Sequence, residues 1–280
     1  MSLQIPLTHI DDLYNDSLIA HYTMNANGND STSNGNHLSG SPGLTFSNNT
    51  TTPGPPYRAS SALNPGNGYW GRASVTGLTE PYTTGFTVAY WMFPQQGSEV
   101  HCPVSFGNGS TSGAGLPTSD TFSGRRYTCD FHPPNLWHYI QFTGGQIGIK
   151  NTSTVSQWTH VVMTIDSNNV CNLYQNGSLS GTITGSGRLY GNWDTVTVGA
   201  NPYHGTYSNQ TGFYGLTADV RIYNTVLTST HVTSLYTYTQ LNATFPTTST
   251  NVTIPTNNWN FLVSGAVGDI IYDNISNDTA

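Results

Sequence analysis

Tight-turn signals recur along the whole chain and constrain its fold more than any other feature. Asn-Gly pairs begin at Asn27, Asn34, Asn67, Asn108 and Asn176. Asn-Gly accepts the positive φ angles of two-residue hairpin turns. Short runs of alternating apolar and polar residues lie between these turns, and many short strands with frequent turns predict an antiparallel sandwich or barrel.

The clearest of these runs are predicted to be strands. They cover residues 86–93, 160–166, 170–175, 195–198 and 218–223. The first is apolar on both faces, which indicates a strand that is buried on both sides. The second and third are separated by a Ser-Asn-Asn turn and predict a hairpin.

One helical segment is predicted after the last of these strands. Thr228 is a residue type that caps helices. Val232, Leu235 and Tyr236 follow the i, i+3, i+4 spacing of one helix face. We expect one or two helical turns over residues 228–236.

The composition excludes several classes of protein. Only 8% of the residues are charged, with one lysine, two glutamates and a net charge of −7. Such a chain lacks good helix formers and lacks the basic patch that binds nucleic acid or anionic lipid. The 6 Trp, 17 Tyr and 10 Phe supply area for a core and oppose disorder. We therefore expect a folded all-β protein with no nucleic-acid or membrane partner.

The chain is divided by composition into three parts. We expect an N-terminal arm (1–17), a main domain (18–243) and a Thr/Asn-rich C-terminal extension (244–280). Residues 97–134, rich in glycine and serine, are predicted to be an insertion at the rim of the sandwich. No apolar run of about 20 residues and no basic-apolar leader occurs, so synthesis and folding in the cytoplasm are expected.

Five segments resemble, in order, the LamG-like, concanavalin A-like lectin/glucanase jelly rolls. They are an aromatic strand before an Asn/Asp/Ser/Gly turn (18–37), a Phe-Thr-aliphatic strand ending in Trp (85–91), a Trp-x-His-aliphatic motif (157–161), a Leu-Tyr-x-Asn-Gly hairpin (173–177) and a closing strand with a final helix (215–236). The resemblance implies an all-β, two-sheet antiparallel jelly-roll sandwich with one short C-terminal helix. This fold hosts lectins, glycan-binding modules, adhesion domains and some glycosidases, so the fold by itself does not define the function.

Catalysis is not expected. A retaining glycosidase needs two carboxyl groups about 5–5.5 Å apart, and relatives of this fold carry them on one strand. Here Glu80 and Glu99 stand on either side of the predicted 86–93 strand. No Gly-x-Ser-x-Gly nucleophile motif occurs.

An oxygen-rich turn is a candidate metal site. Asp30 and Asn27 offer the carboxylate and amide oxygens that Ca²⁺ prefers, and related jelly rolls hold Ca²⁺ at the sandwich rim. In the closing strand the family's acidic position is Ala218, which leaves Asp219 as a third candidate ligand. The alternative is that Asn and Asp only form Asx turns here.

Three cysteines, Cys102, Cys129 and Cys171, leave several pairings open. Cys102 and Cys129, next to His101 and His132, resemble a zinc ligand set only superficially. They can equally form a disulfide that closes the predicted rim insertion. The remaining alternative, which we favour, is that all three are unpaired.

Glycan-binding sites combine an aromatic platform with amide, carboxylate and backbone groups. The residues with that composition are Trp193, Asp194, Tyr203, His204, Tyr207, Tyr69 and Trp70. The alternative for Trp70 and Trp193 is a place in the core, where Trp91 and Trp158 are also expected. His160 is expected to be structural and not a catalytic base.

Together these features predict a non-enzymatic virion surface protein, a fibre, spike or capsid decoration, that binds host glycans or neighbouring subunits. The low charge and the lack of a leader favour this setting. The alternatives are a cellular calcium-dependent carbohydrate-binding or adhesion module, exported by a non-Sec route to the cell surface, and a purely structural capsid cement protein. Expected partners are a cell-surface polysaccharide and other virion proteins, and homo-oligomerisation is left open.

Overall fold

The structure is a computed structural model that describes residues 17–24, 27–40, 45–47, 62–64, 71–74, 85–95, 102–107, 125–132, 134–189, 193, 195–199, 213–244, 262–263 and 270–271. The chain forms two compact units, Met1–Ala243 and Thr244–Ala280. In the second unit, Leu262–Val263 pairs antiparallel with Ile270–Ile271. No helix in the described part of the chain is long and apolar enough to cross a membrane.

The strands of the first unit, in chain order, are β1 (Leu18–Tyr22), β2 (Ser39–Gly40), β3 (Thr45–Ser47), β4 (Ala62–Asn64), β5 (Gly71–Ser74), β6 (Phe86–Pro94), β7 (Val104–Gly107), β8 (Arg125–His132), β9 (Asn135–Phe142), β10 (Gly145–Thr152), β11 (Thr159–Ile165), β12 (Val170–Gln175), β13 (Ser178–Thr184), β14 (Thr195–Val198) and β15 (Gly215–Tyr223). One helix, α1 (Ser229–Thr244), follows. The five predicted strands and the predicted 160–166/170–175 hairpin are confirmed.

The strands form two antiparallel sheets. Sheet A has the order β13-β12-β11-β6-β15-β4-β3, with β1 also paired to β15. Sheet B has the order β10-β9-β8-β7-β14-β5-β2. The inner faces of the two sheets enclose one large hydrophobic core, as expected for a jelly-roll sandwich.

The middle strands of sheet A, β6, β11 and β15, are buried on both faces, and helix α1 packs on their outer face. All nine residues of β6 are buried, as its continuous apolar run predicts. On the outer face, Ala89 and Val162 belong to the same cluster as Val232 and Leu235 of the helix. The helix consists largely of Thr, Ser and Tyr, which are weak helix formers, so this packing stabilises it. It is longer than the one or two turns expected at 228–236.

The predicted rim insertion at 97–134 differs from the structure. Strands β7 and β8 lie within this range and occupy the middle of sheet B. Val104, Phe106, Tyr127, Cys129 and Phe131 point into the core at alternate positions. The flanking Gly-Ser-Thr tract obscured this period-2 pattern in the sequence.

A core tryptophan provides a test of the packing. Trp193 is 0% exposed, so Trp193→Ala should lower the free energy of unfolding by about 3–5 kcal/mol through lost burial and the cavity left behind. Guanidinium denaturation measures this. Leu179→Ala, at a side chain that is 57% exposed, is the control and should change stability by less than about 0.5 kcal/mol. Equal effects of the two substitutions would contradict the packing.

Candidate functional site

Trp193 lies in the core and not on the surface. Its ring centroid is 5.1 Å from that of Phe86 and 5.9 Å from that of Phe106. The structure therefore agrees with the core alternative for this residue, and Trp193 offers no platform to a sugar. The other predicted glycan residues (Asp194, Tyr203, His204, Tyr207, Tyr69 and Trp70) lie outside the described residues.

The Asp30 carboxylate organises the oxygen-rich turn by accepting four hydrogen bonds. Oδ1 accepts the backbone N–H groups of His21 (3.0 Å) and Thr32 (2.9 Å). Oδ2 accepts the Thr32 hydroxyl and the Asn36 N–H, both at 2.9 Å. A carboxylate has about four acceptor positions, so the contacts within the turn saturate it.

Asp219 is buried in an ionic network on the outer face of sheet A. Its Oδ1 accepts from His21 Nε2 at 2.7 Å and from Arg221 Nε at 3.0 Å. Burial by itself raises the pKa of Asp219, but the Arg221 charge and the His21 hydrogen bond bring that pKa down to about 2. The carboxylate is thus ionised and compensated by protein groups.

These residues do not fit a calcium site. Ca²⁺ takes about six to eight oxygen ligands, whereas the Asp30 oxygens are saturated and Asp219 faces a cation. Asn27 Oδ1 accepts the N–H of Asn29 at 2.9 Å in an exposed Asx turn, as the alternative interpretation describes. Among the described residues, no group of three or more His, Cys, Asp or Glu side chains is placed to hold a metal ion.

The three cysteines are buried thiols that form no disulfide. Cys102 Sγ donates to the Val104 carbonyl at 3.3 Å. Burial raises the pKa of Cys171 to about 12, which leaves its thiol protonated and unreactive at neutral pH.

Two histidines are buried and neutral. Burial lowers the pKa of His138 and of His160 to about 3, against the opposing effects of an Asn151 hydrogen bond and of the Asp219 charge respectively. His138 Nδ1 is 2.9 Å from the Tyr127 hydroxyl. The His160 ring packs against Trp91 (centroids 5.0 Å apart) and Tyr236 (5.8 Å), which also contact each other (5.7 Å), so His160 is structural, as expected.

The outward face of β9 carries an aromatic surface that the sequence interpretation missed. Leu136, His138, Ile140 and Phe142 point inward and are buried, while Trp137, Tyr139 and Gln141 are half-buried on the other face. The Trp137 and Tyr139 rings are parallel within 4°, with centroids 5.9 Å apart. We call Trp137, Tyr139 and Gln141 the outer strip.

The neighbouring edge strand β10 has a glycine beside the outer strip. Gly148 pairs with Tyr139, and a Cβ atom at Gly148 would stand 3.2 Å from two carbons of the Tyr139 ring and 3.9 Å from Trp137 Cε3. The absence of a side chain therefore lets both rings pack beside the strand. Lys150 pairs with Trp137, and its Nζ lies 5.1 Å from the Trp137 ring centroid.

Two polar groups that have no hydrogen-bond partner among the described residues border the outer strip. Thr128 on β8 pairs with Tyr139. Its side chain is 1% exposed, and within the described part of the chain its hydroxyl has no hydrogen-bond partner. Gln141 Nε2 donates to the Phe142 carbonyl at 3.1 Å, while its buried Oε1 has no partner there. Buried groups of this kind are costly and are usually satisfied by water or a ligand.

The sequence contained a signal for this surface. Residues 135–142 alternate strictly, with Trp137 and Tyr139 in phase with Asn135 and Gln141. Aromatic residues on the polar phase of a strand indicate a functional surface rather than core. The alternation was not recognised because His138, which occupies an inward position, is a polar residue type where the pattern requires an apolar one.

The two antiparallel sheets, their inner core and the closing helix define a jelly-roll sandwich of the lectin type. The model of the concanavalin A-like lectin/glucanases superfamily matches residues 66–233, more than half of the chain. The chain therefore belongs to this superfamily. No curated protein matches it in sequence.

Solved structures with low sequence identity share this fold. The ligand-binding domain of botulinum neurotoxin serotype D, in complex with N-acetylneuraminic acid, has a TM-score of 0.58 at 13% identity, covering 82% of this chain and 52% of that one. The binding domain of Paraclostridial Mosquitocidal Protein 1 has a TM-score of 0.57 at 16% identity, covering 80% and 52%. Domain 4 of an extracellular arabinanase from Geobacillus stearothermophilus, in complex with arabinotriose, has a TM-score of 0.54 at 19% identity, covering 79% and 98%. The chain spans about half the length of the two toxin domains and nearly all of the arabinanase domain.

Calcium should not stabilise this protein. Because the Asp30 oxygens are already occupied by hydrogen-bond donors of the turn, binding of Ca²⁺ there would have to break them. Thermal unfolding with millimolar calcium and with EDTA should give the same midpoint. A midpoint that rises with calcium concentration would show that a site exists.

Stability should fall as the pH drops below 6.5. The pKa values of His138 and His160 go from 6.5 to about 3 on folding, so between these values the unfolded chain binds protons that the folded chain does not. Stability is therefore present above pH 6.5 and is lost towards pH 3, at up to about 1.4 kcal/mol per pH unit for each histidine. Urea denaturation over a pH series measures the slope.

His138→Gln provides the matched comparison. This substitution should remove about half of the change in the free energy of unfolding per pH unit, whatever it does to the stability at any one pH. If the pH dependence of the stability is unchanged in this variant, titratable groups other than His138 cause it. Constant wild-type stability from neutral pH down to about pH 4 would show that neither histidine is buried in the neutral form.

Proposed function

We propose that this protein is a non-enzymatic carbohydrate-binding protein and that the outer strip on sheet B binds the glycan. The observation that carries the proposal is the parallel pair of half-buried rings, Trp137 and Tyr139, on an outward sheet face. Apolar faces of sugars pack on aromatic rings, and hydroxyl groups pair with amides and hydroxyls beside them. Gln141 and Thr128 supply such groups.

The unsatisfied polar atoms support a ligand at this position. Thr128 Oγ1 and Gln141 Oε1 are buried without partners among the described residues, and Thr128 lies in register with Tyr139. Sugar hydroxyls both donate and accept, so one such group can satisfy either atom. The pattern is that of an apolar surface with a few directed polar groups, which is typical of binding sites.

The similar structures favour the same ligand class. The serotype D domain was solved with N-acetylneuraminic acid, and the arabinanase domain with arabinotriose. The arabinanase domain has nearly the length of this fold, so a sandwich of this size suffices for a sugar-binding module. The non-enzymatic character rests on the separation of Glu80 and Glu99 in the sequence.

We propose the surface of a virion as the setting, on the basis of the charge-poor composition. The protein would serve there as a fibre, spike or capsid decoration. Mass spectrometry of purified particles tests this location. A cellular adhesion module would instead be recovered from the cell surface, and a cement protein would be particle-bound without binding glycans.

Substitution of Trp137 should weaken glycan binding. Trp137→Ala should weaken the affinity for a glycan found on an array by about tenfold or more, because truncating an aromatic anchor costs roughly 1.4 kcal/mol or more. Isothermal titration calorimetry measures the affinity. Leu179→Ala, on the edge strand β13 of sheet A, is the exposed control and should bind like the wild type.

Thermal unfolding of both variants checks that the fold is intact. Wild-type affinity in a folded Trp137→Ala variant would move the binding site elsewhere. A protein that binds no glycan on the array would overturn the proposed function, and release of new reducing ends from a polysaccharide would overturn its non-enzymatic character.

A further inference from the structure

Charged side chains on the described surface are few and unevenly placed. Among the described side chains, the exposed cations are Lys150 and Arg188, and the one partly exposed carboxylate is Asp166. Lys150 is the only lysine of the chain. In a protein with a net charge of −7, the location of two unpaired surface cations is informative.

Lys150 stands at one end of the outer strip. It lies opposite Trp137 in the β9–β10 ladder, with its ammonium 5.1 Å from the ring centroid. The attraction between the ammonium group and the ring restricts the lysine side chain to a position beside Trp137. It forms no ion pair with any described residue, so its charge is available to a ligand on the strip.

Arg188 stands at the opposite end of the outer strip. Its carbonyl accepts the Thr143 N–H at 2.8 Å, and its own N–H donates to Thr143 Oγ1 at 3.1 Å. The next residue, Leu189, pairs with Phe142 and is buried in the core. Arg188 itself is exposed, and its backbone is held beside Thr143, two residues beyond Gln141.

The two cations are separated along β9 by the length of the strip. From Trp137 to Thr143 is six residues, or about 20 Å of extended strand. The rings of Trp137 and Tyr139 and the amide of Gln141 lie between the two ends. A ligand that contacts both cations is therefore an extended chain with more than one acidic group.

Asp166 and Asp130 are the acidic residues to weigh against these two cations. Asp166 Oδ1 accepts the N–H groups of Asn168 and Val170, both at 2.8 Å, within its own turn. Asp130 is in register with Trp137 on β8, on the side away from Lys150. Lys150 therefore lies on the β10 side of β9, and Arg188 lies on the other side, since Leu189 bridges Phe142 opposite its β10 partner Gly145.

We propose that the outer strip binds acidic polysaccharides, with sugar rings packed on Trp137 and Tyr139 and carboxylate or sulfate groups bound by Lys150 and Arg188. This inference rests on the proposed function, since it names the class of glycan that the same surface prefers. The net charge of −7 opposes a polyanion at long range, so the preference comes from these two short-range contacts.

The experiment compares acidic glycans with neutral counterparts of the same backbone. An array carries uronate, sialylated and sulfated glycans beside their carboxyl-reduced or desulfated forms, and the best pair is then titrated calorimetrically. The wild type should bind the acidic form about threefold to fivefold more tightly, as expected for solvent-exposed charge pairs.

The variants separate the charge from the rings. Lys150→Gln should lower the ratio of the acidic-form affinity to the neutral-form affinity to near one, and Lys150→Arg should retain the wild-type ratio. Arg188→Gln should weaken binding only of oligosaccharides long enough to reach it. Trp137→Ala should weaken binding of both forms.

Two results would overturn the inference and leave the proposed function standing. One is equal wild-type affinity for the acidic and neutral forms, and the other is an undiminished preference in Lys150→Gln. A wild type that binds none of the glycans in either form would overturn the proposed function itself.

Discussion

A buried carboxylate, Asp219, determines how the last strand of the sandwich joins the first. It sits at an irregularity of β15 between Ala218 and Arg221, with a positive φ of 48°, and it holds both Arg221 and His21. A non-glycine residue in this conformation is strained, and the surrounding contacts have to maintain it. Removing the carboxylate would leave the guanidinium of Arg221 buried without its charge partner, which typically costs about 3–5 kcal/mol.

The same network continues into the oxygen-rich turn. His21 donates its backbone N–H to Asp30, so one residue connects the ionic network of sheet A to the turn that follows β1. The carboxylates that resemble metal ligands are thereby committed to holding the first and last strands together. On the outward face of sheet B, by contrast, the described aromatic and amide side chains of β9 are not required by the core.

Much of the fold could be predicted from the sequence, because its signals are local. The continuous apolar run of β6 and the alternating apolar residues of β11 and β12 predict the burial of these strands directly. Strands β7 and β8 were not predicted from the sequence, because the apolar alternation of a short strand is hard to recognise beside a Gly-Ser-Thr tract that is typical of a loop. The partners of Asp219 could not be predicted, because His21 is 198 residues away and only the three-dimensional pairing joins them. The alternation of Trp137, Tyr139 and Gln141 with inward residues is present in the sequence, but the polar residue His138 on the inward side interrupts the apolar pattern that would identify it.

The position of β15 also determines when the fold can be completed during synthesis. This strand lies inside sheet A, paired with β6 and β1, yet it is the last strand of the first unit to leave the ribosome. Until it arrives, β1 has no partner strand in the described structure and β6 lacks one of its two neighbours. Pairing over such sequence separations is slow, and open strand edges invite pairing with other chains. The nascent protein thus passes through a state with unpaired edges that ends only when residues 215–223 have been made.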